Sequence, residues 1–177
     1  MPDQHDRPTE RRHRLPREMY RGYVTASFTL CIRNRVTAFA RTDVLAELVP
    51  LVASTVTASN CVALTYCFMP DHLHIVLESR SPAGDVYEAV VRLKQQTGYW
   101  FRCNIPDVRW QKDFYDTILW HEEDILARVR YVFENPVRKQ LVGHWWEYGA
   151  SGYIGVDIAS VVGAVPPESN LNAWLRC

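Results

Sequence analysis

Two β-rich runs, Cys61 to Met69 and His72 to Glu78, are separated only by Pro70-Asp71. Parallel strands need a crossover of a dozen residues or more, so a two-residue link makes these runs antiparallel neighbours. Reading outward from this pair organises the rest of the chain. Upstream, Tyr23 to Arg33 reads as a strand. Thr42 is placed to cap a helix from Asp43 to about Ala58, with Val44, Leu45, Leu48, Leu51 and Val52 as its apolar positions. Downstream, Ser81-Pro82-Ala83-Gly84 breaks the chain and a helix fits Asp85 to about Arg102. Phe114 to Trp120 is a short strand. His121-Glu122-Glu123-Asp124 opens a last helix, whose positive end suits acidic residues. Pro136 is expected to end or kink it.

The order β-α-β-β-α-β-α is the split βαβ pattern of an α+β, ferredoxin-like fold, with an antiparallel sheet and an added C-terminal helix. The expected division is a basic N-terminal tail over 1–19, one domain over 20–145, and an extension over 146–177 with few local signals. A chain of 177 residues is long enough for one real core, and 47% hydrophobic with 23% charged residues is ordinary globular composition. No apolar run approaches the roughly 20 residues of a membrane span, so no membrane association is expected. The charged start lacks an apolar signal segment, and the chain reads as cytoplasmic.

Cys31, Cys61, Cys67, Cys103 and Cys177 form no C-x-x-C pair. That argues against a disulfide framework or a zinc ribbon, and each reads as a small buried hydrophobe. Lys+Arg and Asp+Glu balance at 20 each, whereas phosphate binding favours positive excess. The positive charge is clustered, however. Arg7, Arg11, Arg12, Arg14, Arg17 and Arg21 crowd the start, followed by Arg33, Arg35 and Arg41. A solvated tail and a DNA-contacting arm fit that arm equally.

Chemistry enters at Pro70-Asp71-His72-Leu73-His74-Ile75-Val76-Leu77. Strand side chains alternate, so His72 and His74 share one face while Leu73, Ile75 and Leu77 take the other. Two neutral imidazoles at that spacing suit one divalent metal, although hydrogen-bonded surface histidines would produce the same pattern. On the last helix, Ile125, Leu126, Val129, Val132 and Phe133 gather in one arc, with Tyr131 nearly opposite its middle. Asn135 is its i+4 neighbour and offers an amide oxygen, a hard ligand suited to Mg²⁺ or Mn²⁺. A helix-terminating Asn before Pro136, and an exposed tyrosine packed on a loop, are the plainer readings of these two.

Three segments occur together and in order: Met69-Pro70-Asp71-His72-Leu73-His74, Trp110-Gln111-Lys112-Asp113-Phe114-Tyr115-Asp116, and Tyr131-Val132-Phe133-Glu134-Asn135-Pro136-Val137-Arg138. Over roughly residues 20 to 145 the chain resembles the REP-associated tyrosine transposases, relatives of the single-tyrosine HUH transposases of bacterial insertion sequences. Tyr23 to Phe39, with Arg33-Asn34-Arg35, resembles the first strand and loop of that family. The resemblance implies a catalytic domain with the H-x-H on a central strand. It implies His72 and His74 as metal ligands, Asn135 as the third ligand, Tyr131 as nucleophile, and single-stranded or hairpin DNA as substrate. Cleavage through a 5′-phosphotyrosine would store the phosphodiester energy for rejoining. The chain departs from the family in its neutral charge and in Trp145-Trp146-Glu147-Tyr148, which stands where the family carries Trp-Pro-Ser.

Arg128 and Arg138 lie near the tyrosine as candidate phosphate contacts, together with Arg33 and Arg35. Tyr99-Trp100 and Trp145-Trp146 are either base-stacking aromatics or ordinary packing. A non-cleaving, domesticated palindrome-binding regulator is the alternative function. An RNA-recognition sheet is a third reading, disfavoured because histidines occupy the face on which such domains carry aromatics. A monomer is preferred over a homodimer.

Overall fold

The computed structural model describes residues 15–163, 166 and 169–175. Arg7, Arg11, Arg12, Arg14 and Cys177 lie outside the described residues. The elements follow the expected order: β1 (Thr25–Cys31), α1 (Thr42–Ala58), β2 (Cys61–Met69), β3 (His72–Ser79), α2 (Val86–Asn104), β4 (Tyr115–Leu119) and α3 (Glu122–Arg138). β5 (Ser151–Ile154) and the short α4 (Ala159–Val162) come after them. The sheet is antiparallel with strand order β4-β1-β3-β2-β5. Its first four strands follow the split βαβ topology, which sets β3 in the middle.

Strand alternation divides the sheet between two cores. Leu73, Ile75 and Leu77 pack with α1 and α2 residues such as Leu48, Val52, Val90 and Leu93, whereas Val76 packs with Val129, Val132 and Phe133 of α3. β2 serves both cores through a bulge. Cys61 and Ala63 face the α1–α2 core before it and Tyr66 and Phe68 after it, so the parity shifts by one between Ala63 and Thr65. Val62, Leu64, Cys67 and Met69 correspondingly face α3. One extra residue in a strand moves its later side chains to the opposite face, and here that keeps both layers filled.

Several boundaries differ from the sequence reading. Thr42 is the first residue of α1 rather than its cap. Arg41 takes the cap position without a side-chain bond. Asp85 does cap α2, accepting from the Glu88 amide at 2.8 Å. The expected tail is docked at its end: Arg17–Tyr20 forms a 3-10 turn, Tyr20 is fully buried, and Arg17 pairs with Asp85 and Glu88. Pro136 does not stop α3, which runs on to Arg138. The helix ends instead through a left-handed Gln140, with Leu141 N–H donating to the Pro136 carbonyl at 2.9 Å and Gln140 N–H to Val137 at 2.9 Å. That paired bonding is a Schellman stop, and it satisfies the carbonyls of Pro136 and Val137. Cys31, Cys61 and Cys67 are buried as expected, but Cys103 is exposed.

The described residues after Trp145 include a strand and a short helix, which their sequence did not announce. β5 pairs with β2, and Asn172 locks the connection: its Oδ1 accepts from the Tyr153 amide at 2.9 Å and from the Tyr66 hydroxyl at 3.1 Å. Gly152 is what lets Asn172 reach in, since a Cβ there would lie 1.7 Å from that Oδ1 and 2.8 Å from the Tyr66 oxygen. Gly152→Ala should therefore cost about 1–3 kcal/mol by overpacking and loss of the Asn172 bonds. Urea unfolding would read this, and an unchanged midpoint would contradict the close fit. Among the described residues no helix is long and apolar enough to cross a membrane.

Candidate active site

The register fixes where the two histidines stand. His72 lies opposite Cys31 of β1 and Met69 of β2, and His74 lies opposite Thr29 and Cys67. Both project to the α3 side of the central strand, as alternation requires. Their Nε2 atoms converge to 3.1 Å with the rings nearly perpendicular. Each ring is held from behind. His72 Nδ1 lies 2.6 Å from Asp71 Oδ1, and His74 Nδ1 lies 2.9 Å from Thr29 Oγ1. Assigned from these partners, Nδ1–H donates outward in both rings and Nε2 carries the lone pair.

Two lone pairs facing each other at that distance repel unless a cation or proton lies between them. Adjacent ligands of an octahedral ion at 2.0–2.1 Å stand about 3 Å apart, so the pair fits a divalent metal of the Mg²⁺ type. Burial holds both imidazoles neutral. His74 is pushed down to about 3 by desolvation first, with His72 and Arg128 adding to the effect. His72 is also lowered by desolvation, which outweighs the opposing pull of Asp71. Neutral imidazole is the ligating form.

His74 protonates less readily in the folded chain than at its ordinary 6.5, so its contribution is complete above about pH 6.5 and drains as pH falls towards 3. In chelated protein, the stability difference between wild type and His74→Asn should shrink by about 2 kcal/mol between pH 7 and pH 5. Denaturant midpoints measured at both pH values test this, and parallel changes in the two proteins would contradict it.

α3 brings the phenol to the pair. Val129, Val132 and Phe133 are buried while Tyr131 is 40% exposed, and its ring centroid lies 6.4 Å from that of His74. The guanidinium of Arg138 sits 4.5 Å from the Tyr131 ring centre and that of Arg128 5.6 Å. Arg138 is tethered by Glu134 at 2.8 Å. Asn135 is buried at 6% exposure, and its Nδ2 donates to the Tyr131 carbonyl at 3.1 Å. That bond turns the amide so that its oxygen is the end left for another partner. Among the described residues no three His, Cys, Asp or Glu side chains cluster as a metal site.

The other candidates sort by position. Arg35 is near the histidines, where its Nε pairs with Asp71 Oδ2 at 3.3 Å. Arg33 is exposed on the same loop. Trp145 packs on Phe133, and Trp146 stacks flat on His144, so this pair is engaged within the fold. Tyr115 is half-exposed on the edge strand β4, and Tyr99 is exposed under Arg102. Three partners escaped the sequence reading. Thr29 and Asp71 are visible only once the register is known. Lys139, whose charge acts on His72, reaches the site because α3 passes through Pro136. Arg35, Arg128 and Lys139 surround the histidines electrostatically, so this neutral chain is locally positive where the imidazoles converge.

An α+β domain of ferredoxin-like topology that sets paired imidazoles of a central strand beside a helix-borne tyrosine is the class defined by fold and site. The chain belongs to the family described as "Transposase IS200 like", which matches residues 22–139. No curated protein matches it. Among solved structures it is similar to a REP-associated tyrosine transposase bound to a REP hairpin, at 20% identity and a TM-score of 0.66, over 78% of this chain and 82% of that one. That likeness shows a shared fold. Weaker likenesses are a candidate transposase of Deinococcus radiodurans R1 (17% identity, TM-score 0.49, covering 66% and 92%) and a bacterial tRNA(His) guanylyltransferase-like protein solved with GTP (12%, 0.44, covering 81% and 88%).

Proposed function

We propose that the chain cleaves and rejoins single-stranded or hairpin DNA, with Tyr131 as nucleophile and His72, His74 and Asn135 as ligands of one Mg²⁺ or Mn²⁺ ion. The observation that carries this is the 6.4 Å approach of the Tyr131 and His74 rings within a single chain, beside imidazoles whose Nε2 atoms converge. The family match supports strand transfer as the reaction class, and the relative solved with a REP hairpin supports hairpin DNA as substrate.

A bound divalent ion supplies positive charge to the scissile phosphate and to the leaving 3′ oxygen. The chain's own groups do the rest. Arg138 and Arg128 flank the phenol and offer guanidinium donors to phosphate oxygens on either side of the attacked bond. The Tyr131 oxygen forms a bond to phosphorus as the bond from phosphorus to the 3′ oxygen breaks. The phenolic proton is lost to solvent and the 3′ oxygen takes one up. The product is a 5′-phosphotyrosine and a free 3′-OH, and a second 3′-OH attacking that link reverses the step without ATP. Because phenol and imidazoles meet in one chain, the site needs no exchange of helices, which supports a working monomer.

The polarity of the link makes the test specific. The protein is incubated with Mg²⁺ or Mn²⁺ and a library of hairpins with randomised single-stranded flanks. A 3′-end label should migrate with the protein on a denaturing gel, and a 5′-end label should be released on a shorter strand. Hydrolysis without an adduct contradicts the proposal. Hairpin binding without cleavage under either metal favours a palindrome-binding regulator instead.

A further inference from the structure

We infer that Arg35 acts through Asp71 to orient His72, as a positioning residue rather than a phosphate contact. The inference rests on the metal-site reading above and concerns what holds that site in shape.

The loop that delivers Arg35 is unusual. Asn34 and Arg35 take successive left-handed backbones, at φ 60° and 56°. Asn tolerates that region, but an arginine there is strained, and the strain persists only where surrounding contacts impose it. The contacts are identifiable. Ile32 N–H donates to the Asp71 carbonyl at 2.9 Å, and Arg35 N–H donates to the Ile32 carbonyl at 3.2 Å. The side chain then turns back over the end of β1, with NH1 reaching Cys31 Sγ at 3.7 Å and Nε reaching Asp71 Oδ2 at 3.3 Å. The turn carries the side chain back to Asp71 instead of out along the loop.

The carboxylate of Asp71 is thereby divided between two tasks. Oδ2 faces Arg35 and Oδ1 faces His72 Nδ1 at 2.6 Å. With one oxygen engaged, pivoting of the carboxylate is opposed, and the imidazole it grips keeps Nε2 aimed at the Nε2 of His74. Engagement by Arg35 also keeps a negatively charged oxygen from swinging forward to take a ligand position itself. His74 needs no such clamp, because Thr29 on the neighbouring strand holds it.

Outer-shell partners of ligating histidines typically contribute 10–100-fold to metal affinity. The test measures Mn²⁺ binding by electron paramagnetic resonance on full-length wild type, Asp71→Asn, Arg35→Gln and the double variant, with hairpin affinity measured separately in chelator. Asp71→Asn keeps the shape of the side chain, and Arg35 is exposed at 61% of its side chain, so neither change threatens the core. The expected result is a weakening of Mn²⁺ affinity of about 10-fold or more for Asp71→Asn and a smaller one for Arg35→Gln. The double variant should be no weaker than Asp71→Asn alone, and hairpin affinity in chelator should fall by no more than a factor of a few for Arg35→Gln, the effect of one screened charge. Full additivity, or a larger loss of hairpin affinity with Mn²⁺ binding intact, overturns the positioning role and returns Arg35 to the phosphate contacts. Failure of the wild type itself to bind Mn²⁺ overturns the metal-site reading.

Discussion

Tyr131→Phe should eliminate the covalent protein–DNA adduct, lowering its rate of formation by at least about 10³-fold, while hairpin affinity changes by no more than a factor of a few. The asymmetry follows from the geometry. The phenol ring stands edge-on to His74 under the Arg138 guanidinium, and removing one oxygen leaves ring, helix and cations in place. Only the atom that would bond to phosphorus is lost. Tyr99 lies on α2, across the sheet from α3, whereas Tyr115 shares a cross-strand row with Thr29 and His74 but stands two strands from His74, so Tyr115→Phe should leave the adduct in place. A labelled-DNA adduct assay on a denaturing gel reads the chemistry, and gel mobility shift in chelator reads binding. An adduct surviving at more than a few per cent of the parental rate would reassign the nucleophile.

His74→Ala should lower Mn²⁺ affinity by more than about 100-fold, beyond the range typical of outer-shell partners, and abolish cleavage at millimolar Mg²⁺. His74 is the more deeply held of the pair, and its loss removes one of two converging nitrogens and leaves Thr29 Oγ1 without its partner. A stability cost of about 1–3 kcal/mol accompanies it. His74→Asn keeps a polar group near Thr29 and separates the two effects, recovering part of the stability but not the metal affinity. Titration with Mn²⁺ at pH 7.5 checks this. Unaltered affinity in the Ala variant would mean that the imidazole pair is not a metal site. Tyr131→Phe should bind Mn²⁺ like the parent, which keeps the two roles distinct.

How much of this was readable in the chain alone depends on whether the determining interaction is local. Pro70-Asp71 allowed only an antiparallel pair, and strand alternation then placed His72 and His74 together, because a period of two needs no tertiary knowledge. The helical wheel separated Tyr131 from Val129, Val132 and Phe133 for the same reason. What stayed hidden depends on register or on distant partners. The bulge between Ala63 and Thr65 carries no local signature, yet it decides which β2 side chains meet α3. β5 is four residues long and forms through Asn172, Gly152 and Tyr66, positions far apart in sequence. α3 runs two residues past Pro136 because Gln140 and Leu141 supply the helix stop, and its bonding, not its residue types, is diagnostic. Arg35 reads as a basic loop residue until the ladder brings Asp71 beside it.

Peptide mapping of the covalent adduct by mass spectrometry tests the account most directly. After nuclease and protease digestion, the residual nucleotide phosphate should sit on the peptide containing Tyr131, on the tyrosine oxygen. A modified peptide carrying Tyr115, Tyr99 or a serine in its place would contradict the pairing of this phenol with the imidazoles of β3.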